Sequence, residues 1–216
     1  MAGAGRTIGI LYDGGDFAVV DKPAGLPVQT GEAVGADLAG ELEMQWGAPV
    51  WLVHRLDRDT GGCIVVALTK AAAGRLSGEL ARKETRKYYR AVVRGVPAER
   101  EGVSREEIFV HGRPEEALTA YRVVASSPNG FSLLELVLDT GRMHQIRIHL
   151  AKIGHPIPGD DRHGDFLLNR SLKKEVKLKK LLLYAARLEL ASGAVAVAPP
   201  PPHFRTFCEQ AGLPLE

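Results

Sequence analysis

Strand-length segments outnumber helical ones along this chain of 216 residues, and that imbalance limits the folds open to it. Residues 63–68 are a continuous apolar run of strand length. Residues 17–21 are a shorter run that ends at Lys22-Pro23-Ala24-Gly25, where Pro and Gly force a turn. From 87 to 94 the pattern alternates: Tyr89, Ala91 and Val93 share an apolar face, while Tyr88, Arg90, Val92 and Arg94 share a basic one. Further strands are expected at 118–125, 131–138 and 194–198. Residues 181–190 read as extended, although Tyr184-Ala185-Ala186 leaves this open. Two helices stand among them. One covers 70–83, rich in Ala, Leu and Arg, with Thr69 as N-cap. The other places Met143, Ile146, Leu150 and Ile153 on one face and stops at Gly154 and Pro156. Many strands with few helices imply an α+β fold, a mixed and mostly antiparallel sheet flanked by helices and loops. No repeat of 20–50 residues is visible. The four prolines at 199–202 read as a rigid surface segment.

Composition narrows the class. A chain with 45% hydrophobic and 25% charged residues is not a disordered one. No apolar run approaches the roughly 20 residues of a membrane helix, and residues 1–6 lack the apolar core of a signal peptide. A cytoplasmic protein with no membrane partner is the expectation. Two cysteines are too few for a disulfide framework, and Cys63, inside an apolar run, reads as a small core residue.

The formal charge of +2 conceals an uneven distribution: residues 1–80 carry −4, residues 81–180 carry +7 and the remainder −1. Arg82, Lys83, Arg86, Lys87, Arg90 and Arg94 are opposed only by Glu84. A second cluster sets Arg170, Lys173, Lys174, Lys177, Lys179 and Lys180 against Glu175. Two such blocks suit the phosphates of a polyanion; they are equally compatible with solvated faces.

Two polar groups could carry chemistry. The first is residues 53–62, directly before the apolar run at 63–68. A loop of this kind puts a carboxylate beside guanidinium groups at a sheet edge, and a contacting Arg lowers the carboxylate's pKa, leaving an ionised nucleophile or base. Asp57 and Asp59 could equally pair with arginines and only fix the loop. The second is residues 140–149. His144 and His149 are five apart, so they diverge by roughly 140° on a helix and lie on opposite faces of a strand. With no Glu in the zincin position, a metal site is not expected. A Gly-rich phosphate loop and a Gly-x-Ser-x-Gly elbow are both missing.

Residues 54–62, His-Arg-Leu-Asp-Arg-Asp-Thr-Gly-Gly, closely resemble the central motif of the RluA-type family of pseudouridine synthases. Three further segments follow the family's order. Residues 21–26 resemble its first motif, and residues 87–95 resemble the motif that carries a tyrosine two positions after a lysine. Residues 140–150, with Gly154-His155-Pro156-Ile157 and Gly159-Asp160, resemble its third. The match runs from about residue 13 to 205, and four motifs in order are highly specific.

The resemblance implies the pseudouridine synthase catalytic fold and its chemistry: a uridine in RNA is isomerised by breaking the N-glycosidic bond, turning the uracil and rejoining it through carbon, with no cofactor and no metal. By position Asp57 would be the catalytic aspartate. It would attack the anomeric carbon or the uracil, or remove a ribose proton; each route needs an unprotonated carboxylate. Arg147 matches the arginine that pairs with this aspartate, and Tyr89 the tyrosine that packs on uracil. Read without the resemblance, Tyr89 is a core tyrosine. Arg55 matches a residue that fills the space left by the flipped nucleotide, and His54, Arg142 and Ile146 complete the expected substrate-binding set. Arg86, Lys87, Lys173, Lys174 and Lys177 are candidate phosphate contacts. The expected partner is a structured stem-loop of ribosomal or transfer RNA, because RNA readers favour loops and bulges.

Two positions depart from the family pattern: Gly61 stands where Ser is usual, and His163 where another aromatic is expected. Both bear on loop geometry and RNA fit more than on chemistry. Only about 20 residues precede Asp21-Lys22-Pro23, too few for the S4 RNA-binding domain of many relatives. One catalytic domain over 1–216, acting as a monomer, is the expectation. An RNA-binding module without turnover and an unrelated aspartate-dependent hydrolase are the competing readings. Asp57, Tyr89 and Arg147 together favour the enzyme over the binder, and missing hydrolase elements disfavour the third.

Overall fold

The computed structural model describes residues 6–29, 36–110, 112–138 and 140–215. The chain folds as two compact units, Met1–Arg86 with Ala185–Pro199, and Lys87–Tyr184 with Pro200–Glu216.

The first unit is built on β1 (Gly9–Asp13), β2 (Phe17–Lys22), β3 (Trp51–Leu52), β4 (Gly61–Ala67), most of β9 (Leu183–Glu189) and β10 (Val195–Val197). Its strand order is β1-β2-β4-β9, with β3 pairing β4 and β10 pairing β9. Every residue of β4 is buried, which is what an apolar run without alternation requires of a strand covered on both faces. The β2–β4 pairing is antiparallel and sets Asp21 opposite Cys63 and Lys22 opposite Gly62. Helices α1 (Leu38–Trp46) and α2 (Lys70–Leu80) belong to this unit. Thr69 caps α2 as expected, accepting from the Ala72 N–H at 3.1 Å. The helix ends at Leu80, three residues short of the expected 83.

The second unit holds β5 (Arg86–Arg94), β6 (Glu101–Val110), β7 (Arg113–Ser127) and β8 (Phe131–Leu138), in the order β5-β8-β7-β6. The β5–β8, β8–β7 and β7–β6 pairings are antiparallel, and the α+β class follows. In β5 the expected apolar face is buried at Tyr89, Ala91 and Val93, but the other face is not uniformly open: Arg94 is exposed while Val92 is fully buried, so the alternation fails at 91–93. Three helices complete the unit: α3 (Gln145–Lys152), α4 (Phe166–Glu175) and α5 (Pro202–Ala211). The prolines at 199–202 run straight into α5, where Pro202 takes the first helical position and its missing N–H costs nothing. Phe207 of α5 meets Phe131 edge-on at 5.2 Å between centroids, and Phe204 meets Tyr184 at 4.8 Å.

The expected apolar face of the second helix needs correction. Ile146 and Leu150 are buried, but Met143 is 56% exposed and Ile153 is also exposed. His144, at φ 57°, breaks the helical path, so Met143 lies outside α3 and off its face.

Candidate active site

Asp57 lies half-buried in the loop between β3 and β4. Its carbonyl accepts the Thr60 N–H at 3.1 Å, closing a turn, while the Arg58 carbonyl accepts the Gly25 N–H at 2.9 Å. Asp59 pairs with its neighbour: Arg58 Nε donates to Oδ1 at 3.1 Å and Nη2 to Oδ2 at 3.3 Å. Asp59 thus pairs with an arginine of its own loop. His54 Nε2 accepts the Val65 N–H at 2.9 Å, which ties the loop to β4 and places the ring proton on Nδ1. Arg55 is exposed and lines a cleft of about 660 Å³ with Pro27, Val28, Leu52, His54 and Arg58. That volume is in the range of small-ligand sites.

Beneath this loop lies a residue that the motif reading named but gave no role. Lys22 is 0% exposed. Its Nζ donates to the carbonyls of Leu26 at 2.6 Å, Arg58 at 2.9 Å and Pro23 at 3.2 Å, so all three ammonium protons are used. Burial pushes its pKa down to about 8, and the charges of Asp59 and Asp57 hold it from falling further. The ammonium thus binds the turn after β2 to the turn that carries Asp57. A lysine preceding Pro-Ala-Gly at the end of a buried strand was the available signal.

The glycine pair after Thr60 has a packing cause. A Cβ on Gly61 would sit 3.0 Å from the Lys22 carbonyl oxygen and 3.2 Å from the Ala24 nitrogen. Gly61, where the family pattern has Ser, thus stands at a close approach of the 22–24 backbone. Gly62 has φ 103°, and a Cβ there would meet the Ala185 carbonyl oxygen at 2.1 Å.

The remaining predicted residues, Arg86 excepted, lie in the second unit. Tyr89 is buried on β5 opposite Leu136 of β8. Arg147 is buried on α3, and Asp160 grips it as a fork: Nε donates to Oδ2 at 2.8 Å and Nη2 to Oδ1 at 2.7 Å. Oδ1 also accepts the N–H groups of Arg162 and His163. Burial alone would raise the Asp160 carboxyl; the Arg147 guanidinium and these N–H donors outweigh it and hold the pKa below the ordinary carboxylate range.

Gln145, at the start of α3, joins the surrounding chain. Its Oε1 accepts from Thr140 Oγ1 and the Arg142 N–H, and its Nε2 donates to the Leu118 carbonyl. Arg142 pairs with Glu115 at 2.9 Å, and Ile146 packs inward. His163, the second departure, keeps a ring in place: its Nε2 and His144 Nδ1 are 3.0 Å apart, with the rings edge-on. His149 is fully buried, with Nδ1 against Thr119 Oγ1 at 2.9 Å and Nε2 against the Glu106 carbonyl at 3.3 Å. Of the candidate phosphate contacts, Arg86, Lys173, Lys174 and Lys177 are exposed. Lys87 is half-buried, and burial lowers its pKa. Among the described residues, no group of three or more His, Cys, Asp or Glu could hold a metal ion.

Comparison with known proteins gives concordant matches. The family model described as RNA pseudouridylate synthase matches residues 16–152. The tRNA pseudouridine synthase C of Salmonella typhi is 34% identical, over 84% of this chain and 79% of its own. The ribosomal large subunit pseudouridine synthase D of Zymomonas mobilis is 33% identical, over 83% of this chain and 63% of its own. Among solved structures, human RNA Pseudouridylate Synthase Domain Containing 4 superposes with a TM-score of 0.78 at 28% identity, covering 96% of this chain and 94% of the other.

Proposed function

This chain belongs to the RluA-type family of RNA pseudouridine synthases, and from that premise we propose that it converts one uridine in a structured stem-loop of transfer or ribosomal RNA to pseudouridine, with Asp57 as the catalytic aspartate. The observation that carries this reading is the setting of Asp57. The residue at the family's aspartate position stands on a turn locked from below by the buried Lys22 and from the side by Gly25. Locked turns cost little reorganisation when a charged group must meet a sugar.

The N1–C1′ bond of uridine breaks, the uracil turns, and a C5–C1′ bond replaces it; C5 gives up its proton and N1 takes one up, so the product is an isomer. Asp57 acts on C1′ or the uracil, or on a ribose proton. By family position Arg147 is read as the cation that partners the aspartate, and Tyr89 as the ring against uracil. Arg55, exposed on the loop, takes the place of the nucleotide that leaves the stack. Flipping costs a few kcal/mol, less in a loop. His54, Arg142 and Ile146 shape the surroundings; Arg86, Lys87, Lys173, Lys174 and Lys177 contribute phosphate contacts. Residues 1–216 are read as one catalytic domain, working as a monomer in the cytoplasm. Among the described residues no helix is long and apolar enough to cross a membrane.

The experiment is Asp57→Asn assayed on total tRNA and rRNA. Pseudouridine formation is expected to vanish while RNA binding stays within about threefold of wild type, since shape and phosphate contacts survive. Wild-type protein that leaves every uridine unchanged would overturn the reading. Mapping pseudouridines in cells lacking the protein would then name the RNA and the position.

A further inference from the structure

Helix α4 presents an outer face that neither the core nor the proposed chemistry uses. Its inner face is anchored. Leu172 is buried. Asn169 accepts the Gly159 N–H at 2.8 Å and donates to the Asp160 carbonyl at 2.7 Å. Asp165 caps the helix through the Leu167 and Leu168 N–H groups and pairs with Arg94. On the opposite side Phe166 is 62% and Leu167 80% exposed. Positions 166, 170 and 173 follow i, i+4, i+7, and 167 and 174 are i, i+7, so Phe166, Leu167, Arg170, Lys173 and Lys174 form one stripe roughly 12 Å long. The carboxylate in 166–180, Glu175, is engaged by Ser171 Oγ at 2.6 Å.

Phe166 and Leu167 thus set two large apolar side chains side by side in water at the head of a row of cations. We propose that this stripe is an RNA-docking surface on which Phe166 stacks an unpaired base of the substrate while Arg170, Lys173 and Lys174 hold the phosphates next to it. The proposal rests on the assignment of an RNA substrate and adds where, and how, the strand outside the reacting nucleotide is gripped. Charge decides for RNA as occupant: six cations face one carboxylate over 166–180. Aromatic stacking beside cations is how single-stranded segments are held without sequence preference. Asn169 gives the surface a fixed position relative to the Gly159–Asp160 turn, which itself holds Arg147.

The test is fluorescence anisotropy with an unstructured uridine-rich 12-nucleotide RNA and with bulk tRNA, alongside pseudouridine formation by wild type. Phe166→Ala is expected to weaken oligonucleotide binding about tenfold with the salt slope kept, whereas Phe166→Trp binds at least as well as wild type. The double change Lys173→Glu, Lys174→Glu weakens binding and lowers the salt slope by about 1.4 for a single strand. These side chains are exposed, so melting temperatures should not move. Wild-type affinity in both Phe166→Ala and Phe166→Leu overturns the proposal, as does a concentration-dependent dimer that Phe166→Ala abolishes. Wild type that binds the oligonucleotide through this face yet converts no uridine strikes the catalytic reading alone.

Discussion

Arg147 and Asp160 form a buried two-point fork, with Nε and Nη2 of the guanidinium each 2.7–2.8 Å from a separate carboxylate oxygen and side-chain exposures of 4% and 1%. Asp160 thereby fixes the plane of the guanidinium. The orientation of the arginine proposed as partner of the catalytic aspartate is thus set by an acid thirteen residues on.

Removing that acid should be expensive. Asp160→Asn preserves shape but removes the carboxylate that forks a buried guanidinium, a loss of about 3–5 kcal/mol at neutral pH. The acid limb of stability should also change. Because the folded pKa of Asp160 is lowered, its contribution is fully present above the unfolded value of about 3.9 and lost as pH falls through the folded one. Urea denaturation at several pH values tests both: the variant should be weaker at pH 7 and lose less than wild type on acidification below pH 4. Equal stability at pH 7 would show that the fork contributes nothing.

Two glycines should respond oppositely to the same substitution. Gly62→Ala drives a methyl to 2.1 Å from the Ala185 carbonyl oxygen at φ 103°, and about 3 kcal/mol or more should be lost. Gly74, in α2, has open space where its Cβ would go, so Gly74→Ala should gain about 0.5–1 kcal/mol. Denaturant midpoints compare the two directly, and a tolerated Gly62→Ala would mean that the strands part more easily than their burial implies.

Both thiols should be silent in the folded protein. Cys63 and Cys208 are buried, and desolvation pushes each pKa up to about 12. The thiolate is the reactive species, so at pH 8 neither should react with an aromatic disulfide reagent except through opening of the fold. Two thiols should titrate rapidly in guanidinium and neither within minutes in buffer; prompt labelling of Cys63 would contradict its place on β4.

These particulars show why some of the molecule was legible in the sequence. Strand β4 and the apolar face of β5 were readable because burial on two faces or on one imposes its own hydrophobic pattern. Strand β6 was not: Arg105, Glu106 and Glu107 are exposed, and an edge strand needs little apolar signal. Helix α4 was missed because its outer face carries Phe166 and Leu167 where an amphipathic pattern would place polar residues. Asp57, Tyr89 and Arg147 could be named as candidates by motif, but the forked pair could not, since Asp160 meets Arg147 only once the chain has left α3. Lys22 stood in a recognised motif, yet its role depends on three carbonyls, and carbonyls carry no side-chain signature.

Lys22 yields the last prediction. Its folded pKa of about 8 lies below the ordinary lysine value of about 10.4, so at neutral pH the ammonium is charged and the turn beneath Asp57 is locked. With a depressed folded pKa, the unfolded chain binds more protons between the two values, and the Lys22 contribution to stability rises with pH from about 8 to 10. Activity should move the other way, because the neutral amine donates fewer hydrogen bonds to the carbonyls of Leu26, Arg58 and Pro23 and no longer offsets the charge of Asp57. Pseudouridine formation should fall on an alkaline limb near pH 8. Lys22→Met should strip the ammonium hydrogen bond from the Leu26, Arg58 and Pro23 carbonyls, of which the last two keep the Gly25 and Leu26 N–H groups, cost about 1–3 kcal/mol, and abolish that limb in whatever activity remains. A Lys22→Met enzyme with wild-type stability and an unchanged alkaline limb would remove the ammonium from any part in holding the aspartate.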